Sequence, residues 1–224
     1  MPRTIAIGDI HGCLLALERL LAEIRPTAED TVVALGDYVD RGPDSRGAIE
    51  ALIELGRRTQ LVPLLGNHEE MLLKALERPD EADGWLMYGG RETLDSYGLS
   101  AIGPLPEAHL CFLHACRDYY ETDTHIFLHA SYVENKPLEE LDALWLRWES
   151  LRDYLPGPHF SGKTAIVGHT AQRSGEILDA GHLKCIDTYC YGGGWLTALD
   201  VDSGQVWQAD ELGRLRGETL ERVP

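Results

Sequence analysis

Three short apolar runs near the start of the chain predict buried strands over Arg3–Gly8, Thr31–Leu35 and Leu61–Leu65. Amphipathic stretches follow these runs and predict helices over Cys13–Ile24, from Pro43 to about Arg58, and over His68–Leu76. Because strands that alternate with helices form parallel sheets, we expect an α/β fold. In such a sheet the functional residues lie beyond the carboxyl ends of the strands.

The pattern changes in the second half of the chain. Residues Pro79–Cys116 predict a helical subdomain with a Gly-Gly loop, and a further helix is expected around Leu138–Leu144. More strands are predicted over Asp118–Glu121, Thr124–Leu128, Thr164–Val167, Ile177–Leu178, Leu183–Ile186, Leu196–Val201 and Gln205–Gln208. We expect these strands to form a second, more antiparallel sheet, with a hairpin turn at Asp202-Ser203-Gly204.

Composition limits the class of protein. A length of 224 residues predicts one domain over 1–224, and 44% hydrophobic residues with 25% charged residues are ordinary for a soluble protein. The formal net charge of −17 argues against a nucleic-acid partner, which would require a basic surface. No apolar run approaches the roughly 18 residues of a membrane span. Five cysteines without a C-x-x-C pair, and an N-terminus that enters a strand at once, predict a cytoplasmic protein with free thiols.

Polar side chains that can bind a metal follow the predicted strands. They are Asp9, His11, Asp37, Asn67, His129 and His169. This mixture of oxygen and imidazole ligands suits manganese, iron or zinc better than calcium. Taken singly, an aspartate after a strand is usually a helix cap, and a lone histidine is usually a core or surface residue. Because five loops in order carry a suitable group, we expect a metal site.

The loop Gly36–Gly42 adds groups for phosphate chemistry. Arg41 can grip phosphate with two hydrogen bonds, although Asp40 and Arg41 could also form an ordinary surface ion pair. Arg147 lies in the sequence Leu-Trp-Leu-Arg-Trp, where it is either a second phosphate ligand or a packing residue. The chain contains no C-x5-R motif, so nothing demands a nucleophilic cysteine. A redox-sensitive thiol at Cys13 and a packed small residue there both remain open.

Three segments carry a resemblance to a known family: Gly8-Asp9-Ile10-His11-Gly12, Gly36–Gly42 and Gly66-Asn67-His68-Glu69. Together they resemble the signature of the calcineurin-like metallophosphoesterase superfamily, in the form used by the bacterial and phage-type branch of the serine/threonine protein phosphatases. The resemblance runs from Thr4 to about Val201. It implies a four-layer α/β/β/α sandwich with two central mixed sheets, in which residues 79–116 form a small helical cap.

The resemblance also implies roles for individual residues. Asp37 would bridge two divalent metals, most simply manganese, with iron or zinc as alternatives; Asp9 and His11 would bind the first metal, and Asn67, His129 and His169 the second. His68 would be the general acid, oriented by Asp40, while Arg41, Asn67 and Arg147 would bind the phosphoryl group. The implied reaction is direct in-line attack by a hydroxide that bridges the metals.

The resemblance further implies a monomeric phosphatase that acts on phosphoserine and phosphothreonine in a phosphoprotein or small phosphoester, with phosphotyrosine as a further substrate. Symmetrical hydrolysis of diadenosine tetraphosphate is the first alternative, and a non-catalytic metal-binding scaffold is the second. The chain departs from the bacterial pattern at Tyr189, where relatives usually have glycine, and at Trp195, where they have a basic residue. Substrate preference near that loop is therefore open.

Overall fold

The computed structural model describes residues 2–217. The strands in this range are β1 (Thr4–Ile7), β2 (Thr31–Ala34), β3 (Gln60–Pro63), β4 (Tyr119–Glu121), β5 (His125–Leu128), β6 (Thr164–Val167), β7 (Leu178–Asp179), β8 (Leu183–Cys185), β9 (Asp187–Thr188), β10 (Trp195–Asp200) and β11 (Val206–Ala209). The helices are α1 (Leu14–Ile24), α2 (Ser45–Gly56), α3 (Asn67–Glu77), α4 (Ala82–Trp85), α5 (Arg91–Ser96) and α6 (Glu107–His114). Shorter 3-10 or π turns span Pro79–Glu81, Leu86–Gly90, Leu138–Glu140, Leu144–Trp148 and Cys190–Gly192.

The first sheet has the strand order β11-β10-β1-β2-β3, with β9 also paired to β10. As predicted, β1, β2 and β3 are parallel. The assignment of Leu196–Val201 and Gln205–Gln208 to the second sheet is wrong, because β10 pairs antiparallel with β1, with Ala6 opposite Leu199. A β1–β10 pairing joins the two ends of the chain, so no local pattern could reveal it. The hairpin turn between β10 and β11 is present, with Gly204 at a φ of +75°.

The second sheet has the strand order β4-β5-β6-β8-β7. Its three central strands are parallel, and only the two edge strands run antiparallel to their neighbours. This sheet is therefore mixed, like the first one. The helix expected around Leu138–Leu144 is replaced by a 3-10 turn and the π turn Leu144–Trp148. This segment packs as an irregular cover on the second sheet, with Leu138 and Leu141 buried in its core cluster.

Alternating side chains place the two sheets in the middle of the molecule. Ile5 and Ile7 of β1 are fully buried against the apolar faces of α1 and α2. Ala6, between them, points the other way and packs with Phe127 and Ile166 of the second sheet. On the far side of the second sheet the covering layer is built from the irregular segment 131–160 rather than from long helices. The order of layers is therefore helix, sheet, sheet, and a layer of short turns.

The helical segment 79–116 packs on the first layer. Helix α4 contacts α3, and both α5 and α6 contact α2. Because α2 and α3 follow β2 and β3, these contacts bring the segment beside the carboxyl ends of the first sheet. Along residues 2–217, no helix is long and apolar enough to cross a membrane.

Candidate metal centre and active site

The candidate ligands converge where strands of both sheets end. Asp9 and His11 follow β1, Asp37 follows β2, Asn67 begins α3 after β3, His129 follows β5, and His169 follows β6. Ligand atoms lie within 4.8 Å of one another in two groups, one of His11, Asp37 and His68 and the other of Asp37, His129 and His169. Asp37 belongs to both groups. A carboxylate shared in this way is suited to bridge two metal ions.

Backbone carbonyls orient the three predicted histidine ligands. The Nδ1 atoms of His11 and His129 donate to Val39 O at 2.9 Å and Leu35 O at 2.8 Å, so each ring turns its Nε2 atom inward. His169 is reversed, because its Nε2 atom donates to Trp148 O at 3.0 Å and its Nδ1 atom faces the site. A histidine that donates one ring hydrogen to a carbonyl keeps the other nitrogen as a lone pair for a metal.

Asn67 and Asp9 are the remaining predicted ligands, and they differ in their distance from the two groups. The side-chain oxygen of Asn67 lies 3.1 Å from His129 Nε2 and 3.0 Å from His169 Nδ1, between the two ring nitrogens that face inward. The buried carboxylate of Asp9 accepts the backbone N–H of His169 at 2.9 Å. Among the described residues, Asp9 lies outside the two groups of ligand atoms, although it borders them through His169.

Buried charges in this region influence one another strongly. Burial opposes ionisation of Asp37, but His129, His68 and His11 together hold the pKa of its carboxyl well below the usual range. Burial, with the neighbouring carboxylates of Asp187 and Asp37, raises the pKa of Asp9 well above its ordinary value. A cluster of buried acids that repel one another in this way favours a cation among them. Sequence analysis assigned no role to Asp187, because nothing in the local pattern distinguishes it from an ordinary polar residue of a strand.

The loops that carry these residues have unusual backbone conformations. Five predicted site residues adopt a positive φ although none is glycine: His11, Asp37, Asp40, Arg41 and His169. Non-glycine residues in this region are uncommon and concentrate at functional sites. The cluster of positive φ values therefore marks the same place as the ligand geometry.

The buried carboxylate of Glu69 supports the loop that carries Asp37. It accepts the backbone N–H groups of Asp37 at 2.8 Å, Tyr38 at 2.7 Å, Val39 at 3.2 Å and Gly66 at 3.0 Å. Burial, together with the charge of Asp37, raises the pKa of Glu69 to about 7. Sequence reasoning gave this residue no role. Glu69 lies three residues after Gly66, the cap of α3, and this spacing is typical of a capping box. It could have indicated the bond to the Gly66 N–H, but not the bonds to the loop that carries Asp37.

His68 and Asp40 form a buried pair beside the candidate ligands. Nδ1 of His68 lies 2.7 Å from Asp40 Oδ2, and since a carboxylate accepts, this nitrogen carries the hydrogen. The carboxylate also accepts from Trp85 Nε1 at 2.9 Å and from Thr93 Oγ1 at 2.7 Å. Among the described residues, the buried Nε2 atom of His68 has no hydrogen-bond partner. An unpartnered buried nitrogen fits a group that interacts with a bound substrate or ion.

Arg41 lies between the candidate ligand His11 and the loop after β9. Its Nη1 atom donates to His11 Nε2 at 3.0 Å and to the hydroxyl of Tyr191 at 3.0 Å. The guanidinium carbon is 4.8 Å from the centre of the Tyr191 ring. One lone pair cannot serve a guanidinium and a metal together, so Arg41 leaves His11 whenever that nitrogen binds metal, while the contact with Tyr191 can persist.

Arg147 is engaged by carboxylates in this structure. Its Nε atom donates to Glu70 Oε2 at 2.7 Å, and its Nη1 atom pairs with Asp118. The indole nitrogen of Trp148 donates to the same Glu70 oxygen at 3.1 Å. Glu70 thus ties the π turn Leu144–Trp148 to α3, and through the Trp148 carbonyl this turn also holds His169. Binding of phosphate by Arg147 stays a prediction.

Tyr189 and Trp195, the two departures from the bacterial pattern, each lie beneath an arginine side chain. Tyr189 stands in the left-handed region with a φ of +65°, a conformation that a glycine would adopt without strain. Its ring packs edge-on to Tyr191 at 4.9 Å and lies below the exposed guanidinium of Arg173. Trp195 has Arg216 over its ring at 5.7 Å, so a cation is present there although the chain position is aromatic.

Comparisons with known proteins identify the family of the chain. The model of the calcineurin-like phosphoesterase family matches residues 2–192. The chain belongs to this family. It is 32% identical over 208 residues to serine/threonine-protein phosphatase 1 of Salmonella typhimurium, covering 87% of this chain and 90% of that protein.

Other proteins that resemble the chain are named for different activities. The chain is 32% identical over 162 residues to the symmetrical bis(5'-nucleosyl)-tetraphosphatase of Cellvibrio japonicus, and the match covers 70% of this chain but only 54% of that protein. The structure of a cold-active protein tyrosine phosphatase superposes with a TM-score of 0.67 and 16% identity, covering 96% of this chain and 78% of that one. This last likeness shows the fold alone.

The chain is therefore a metal-dependent phosphoesterase with the metallophosphoesterase fold. The family uses a dinuclear metal centre, and the side chains at the strand ends fit one. Inward-facing nitrogens, a carboxylate shared by two groups and an amide oxygen between two histidines are the donors such a centre needs.

Proposed function

We propose that this protein is a phosphomonoesterase that hydrolyses phosphoserine and phosphothreonine, with phosphotyrosine as a further substrate. The observation that carries the proposal is the His68–Asp40 pair, buried directly beside the candidate metal ligands. A proton donor at this place serves a reaction whose leaving group is a poor alkoxide. Similarity over 90% of the length of a serine/threonine phosphatase supports the same choice.

The side chains then have distinct tasks. Two bound divalent metals, for which we propose manganese, would supply a water of lowered pKa and polarise the phosphoryl oxygens. Asp9, His11 and Asp37 would hold one ion, and Asp37, Asn67, His129 and His169 would hold the other. Arg41, Asn67 and Arg147 would bind the phosphoryl oxygens and stabilise the charge that develops on them.

His68 would complete the reaction at its Nε2 atom. Its Nδ1–H stays bound to Asp40, which fixes the plane of the ring. The unpartnered Nε2 atom is then free to give a proton to the ester oxygen as the bond to phosphorus breaks. We also propose that the protein acts as a monomer in the cytoplasm; the five free cysteines are consistent with a reducing compartment.

Symmetrical hydrolysis of diadenosine tetraphosphate is the second candidate function. It is favoured by 46% identity over 81 residues to the tetraphosphatase of an Acidovorax strain, although the chain spans only 28% of that protein. A metal-binding scaffold without activity is the third candidate. The presence of His68, Asp40 and Arg41 in one place weighs against it, because a scaffold needs neither an acid nor a phosphate ligand.

One assay separates these candidates. Purified protein is loaded with manganese and offered phosphoserine and phosphothreonine peptides, p-nitrophenyl phosphate and diadenosine tetraphosphate, with His68→Asn as the matched control. We expect turnover of the phosphopeptides that chelation abolishes. Hydrolysis of the dinucleotide with inert peptides would replace the first proposal by the second. Inertness towards every substrate, with metal bound, would leave the scaffold.

A further inference from the structure

Two neighbouring apolar side chains stand exposed beside Arg41. Met87 is 86% exposed and Tyr88 is 56% exposed, both in the π turn Leu86–Gly90. They line a shallow cleft of about 520 Å³ whose other walls include Arg41, Gly89, Arg91 and Tyr191. Large apolar side chains that face solvent together at a predicted active site are typical of a binding surface.

The turn that presents these side chains is fixed at both ends to the Asp40–Arg41 peptide. Before it, the Trp85 indole donates to both carboxylate oxygens of Asp40, at 3.0 and 2.9 Å. Near its end, the carbonyl of Gly89 accepts the backbone N–H of Arg41 at 3.1 Å. Gly89 has a φ of +106°, and a Cβ atom there would lie 2.7 Å from the Arg41 nitrogen. The exposed pair therefore keeps its place relative to the phosphate ligand.

Tyr191 lines this cleft together with Arg41. Its hydroxyl accepts from Arg41 Nη1 at 3.0 Å, and its ring is edge-on to the ligand His11 at 4.8 Å between centres. The guanidinium of Arg41 thus connects the cleft to the candidate metal ligand His11, which it contacts at 3.0 Å. Because Arg41 itself lines the cleft, a group attached directly to a phosphoryl bound at Arg41 lies close enough to enter it.

The charges of the cleft argue against a polyphosphate chain. Apart from Arg41, the cation among the cleft residues is Arg91, which is bound to Asp95 at 3.1 Å and to the Ser100 carbonyl at 3.2 Å. Glu92, exposed on the same wall, adds a negative charge. Two tyrosine rings and a methionine suit a flat uncharged ring, because aromatic and thioether contacts with a ring are favourable.

We propose that this cleft binds an aromatic ring attached directly to the phosphoryl oxygen, and so gives aryl phosphates such as a phosphotyrosine side chain a binding contact that alkyl phosphates lack. The inference rests on the proposed function, since the phosphoryl group must lie at Arg41. A nucleobase fits the cleft less well, because a ribose and further phosphates separate it from the central bond of a dinucleoside tetraphosphate.

A binding experiment tests the cleft without catalysis. Benzylphosphonate and ethylphosphonate cannot be hydrolysed, and they differ in the ring; both are titrated calorimetrically into manganese-loaded protein. Wild-type protein is compared with Tyr88→Ala, with Tyr88→Phe, which keeps the ring, and with Phe160→Ala, a 63% exposed aromatic residue outside the cleft. We expect Tyr88→Ala to weaken benzylphosphonate about two- to tenfold, the size of one aromatic contact. Ethylphosphonate should be unaffected, and the other two variants should resemble wild type.

Hydrolysis gives the second readout. Peptides of one sequence carrying phosphotyrosine or phosphoserine are compared by the ratio of their kcat/KM values, and Tyr88→Ala should lower this ratio by a similar factor. Equal effects on aryl and alkyl ligands would overturn the inference while leaving the phosphatase intact. A selective loss of diadenosine tetraphosphate hydrolysis would overturn it in favour of a nucleobase site. If neither phosphonate binds and no substrate is turned over, the proposed function itself fails.

Discussion

Replacing His68 or Asp40 by asparagine tests the proton donor directly. A general acid contributes about 10²–10⁴-fold when the leaving group needs a proton, so His68→Asn should lower turnover of a phosphoserine peptide by that factor. Asp40→Asn removes one charge-assisted hydrogen bond, the 2.7 Å contact with His68. Such a bond is worth about 1.5–3 kcal/mol, which corresponds to a loss of roughly 10- to 150-fold.

The assay compares two leaving groups under conditions where chemistry limits the rate. p-Nitrophenolate leaves as an anion and needs little proton transfer, so both variants should lose roughly tenfold or less on p-nitrophenyl phosphate. Single-turnover measurements on the same manganese-loaded preparations separate chemistry from product release. Elemental analysis and melting temperature serve as controls for loss of metal and loss of stability. An asparagine at position 40 retains an oxygen for the Trp85 and Thr93 donors, so we expect the variant to fold.

One result would refute this assignment. If His68→Asn lowers both substrates by the same factor with metal content unchanged, His68 does not protonate the leaving oxygen. The buried unpartnered Nε2 atom would then have another purpose, such as orienting the attacking water.

Three further variants test the metal ligands, the second arginine and the stability of the fold. Asp37→Asn should lower the bound metal measured by elemental analysis at both positions, since this carboxylate belongs to both groups of ligand atoms. Activity in a verified metal-free preparation would contradict the metal dependence on which this prediction rests. Arg147→Ala should lower kcat more than it changes KM, and unchanged constants would make Arg147 a packing residue held by Glu70. The hydrogen bonds from Arg3 hold the pKa of the buried Asp30 carboxyl well below its ordinary value. The stability that this ion pair contributes is present above the unfolded pKa of about 3.9 and is lost as pH falls through the folded pKa. Asp30→Asn should therefore lower the free energy of unfolding, measured in urea, by about 2–3 kcal/mol at pH 7 and by progressively less below pH 4. An equal loss at every pH would contradict this prediction.

The sequence by itself determined where the candidate site would be. Apolar runs such as Thr31–Leu35 must be buried, and a polar residue at the end of a run must lie at an edge of the sheet. Asp37 and His129 therefore converge for reasons that are visible in the one-dimensional pattern. The same reasoning predicted the parallel order of β1, β2 and β3, because short βα units allow few other connections.

Strand pairing between the chain ends was decided only by the tertiary structure. β10 has the pattern of a buried strand and gives no sign of its partner, so the sequence placed it in the wrong sheet. Pairing partners in a sheet are set by the packing of whole layers, and hydrophobic periodicity carries no information about which layer receives a strand. The replacement of the expected helix at 138–144 by two turns has the same origin, since that segment packs as an irregular cover on the second sheet.

The supports of the candidate site also depended on tertiary structure. Trp85 and Thr93 reach Asp40 from 45 and 53 residues away, and Glu69 collects N–H groups from a loop about 30 residues earlier. The sequence left Arg147 open as a phosphate ligand or a packing residue, and the contact of its guanidinium with Glu70 was visible only in the fold. A short motif names the groups that can perform the chemistry. The side chains that orient those groups are chosen by proximity in three dimensions, because a hydrogen bond acts over about 3 Å regardless of separation along the chain.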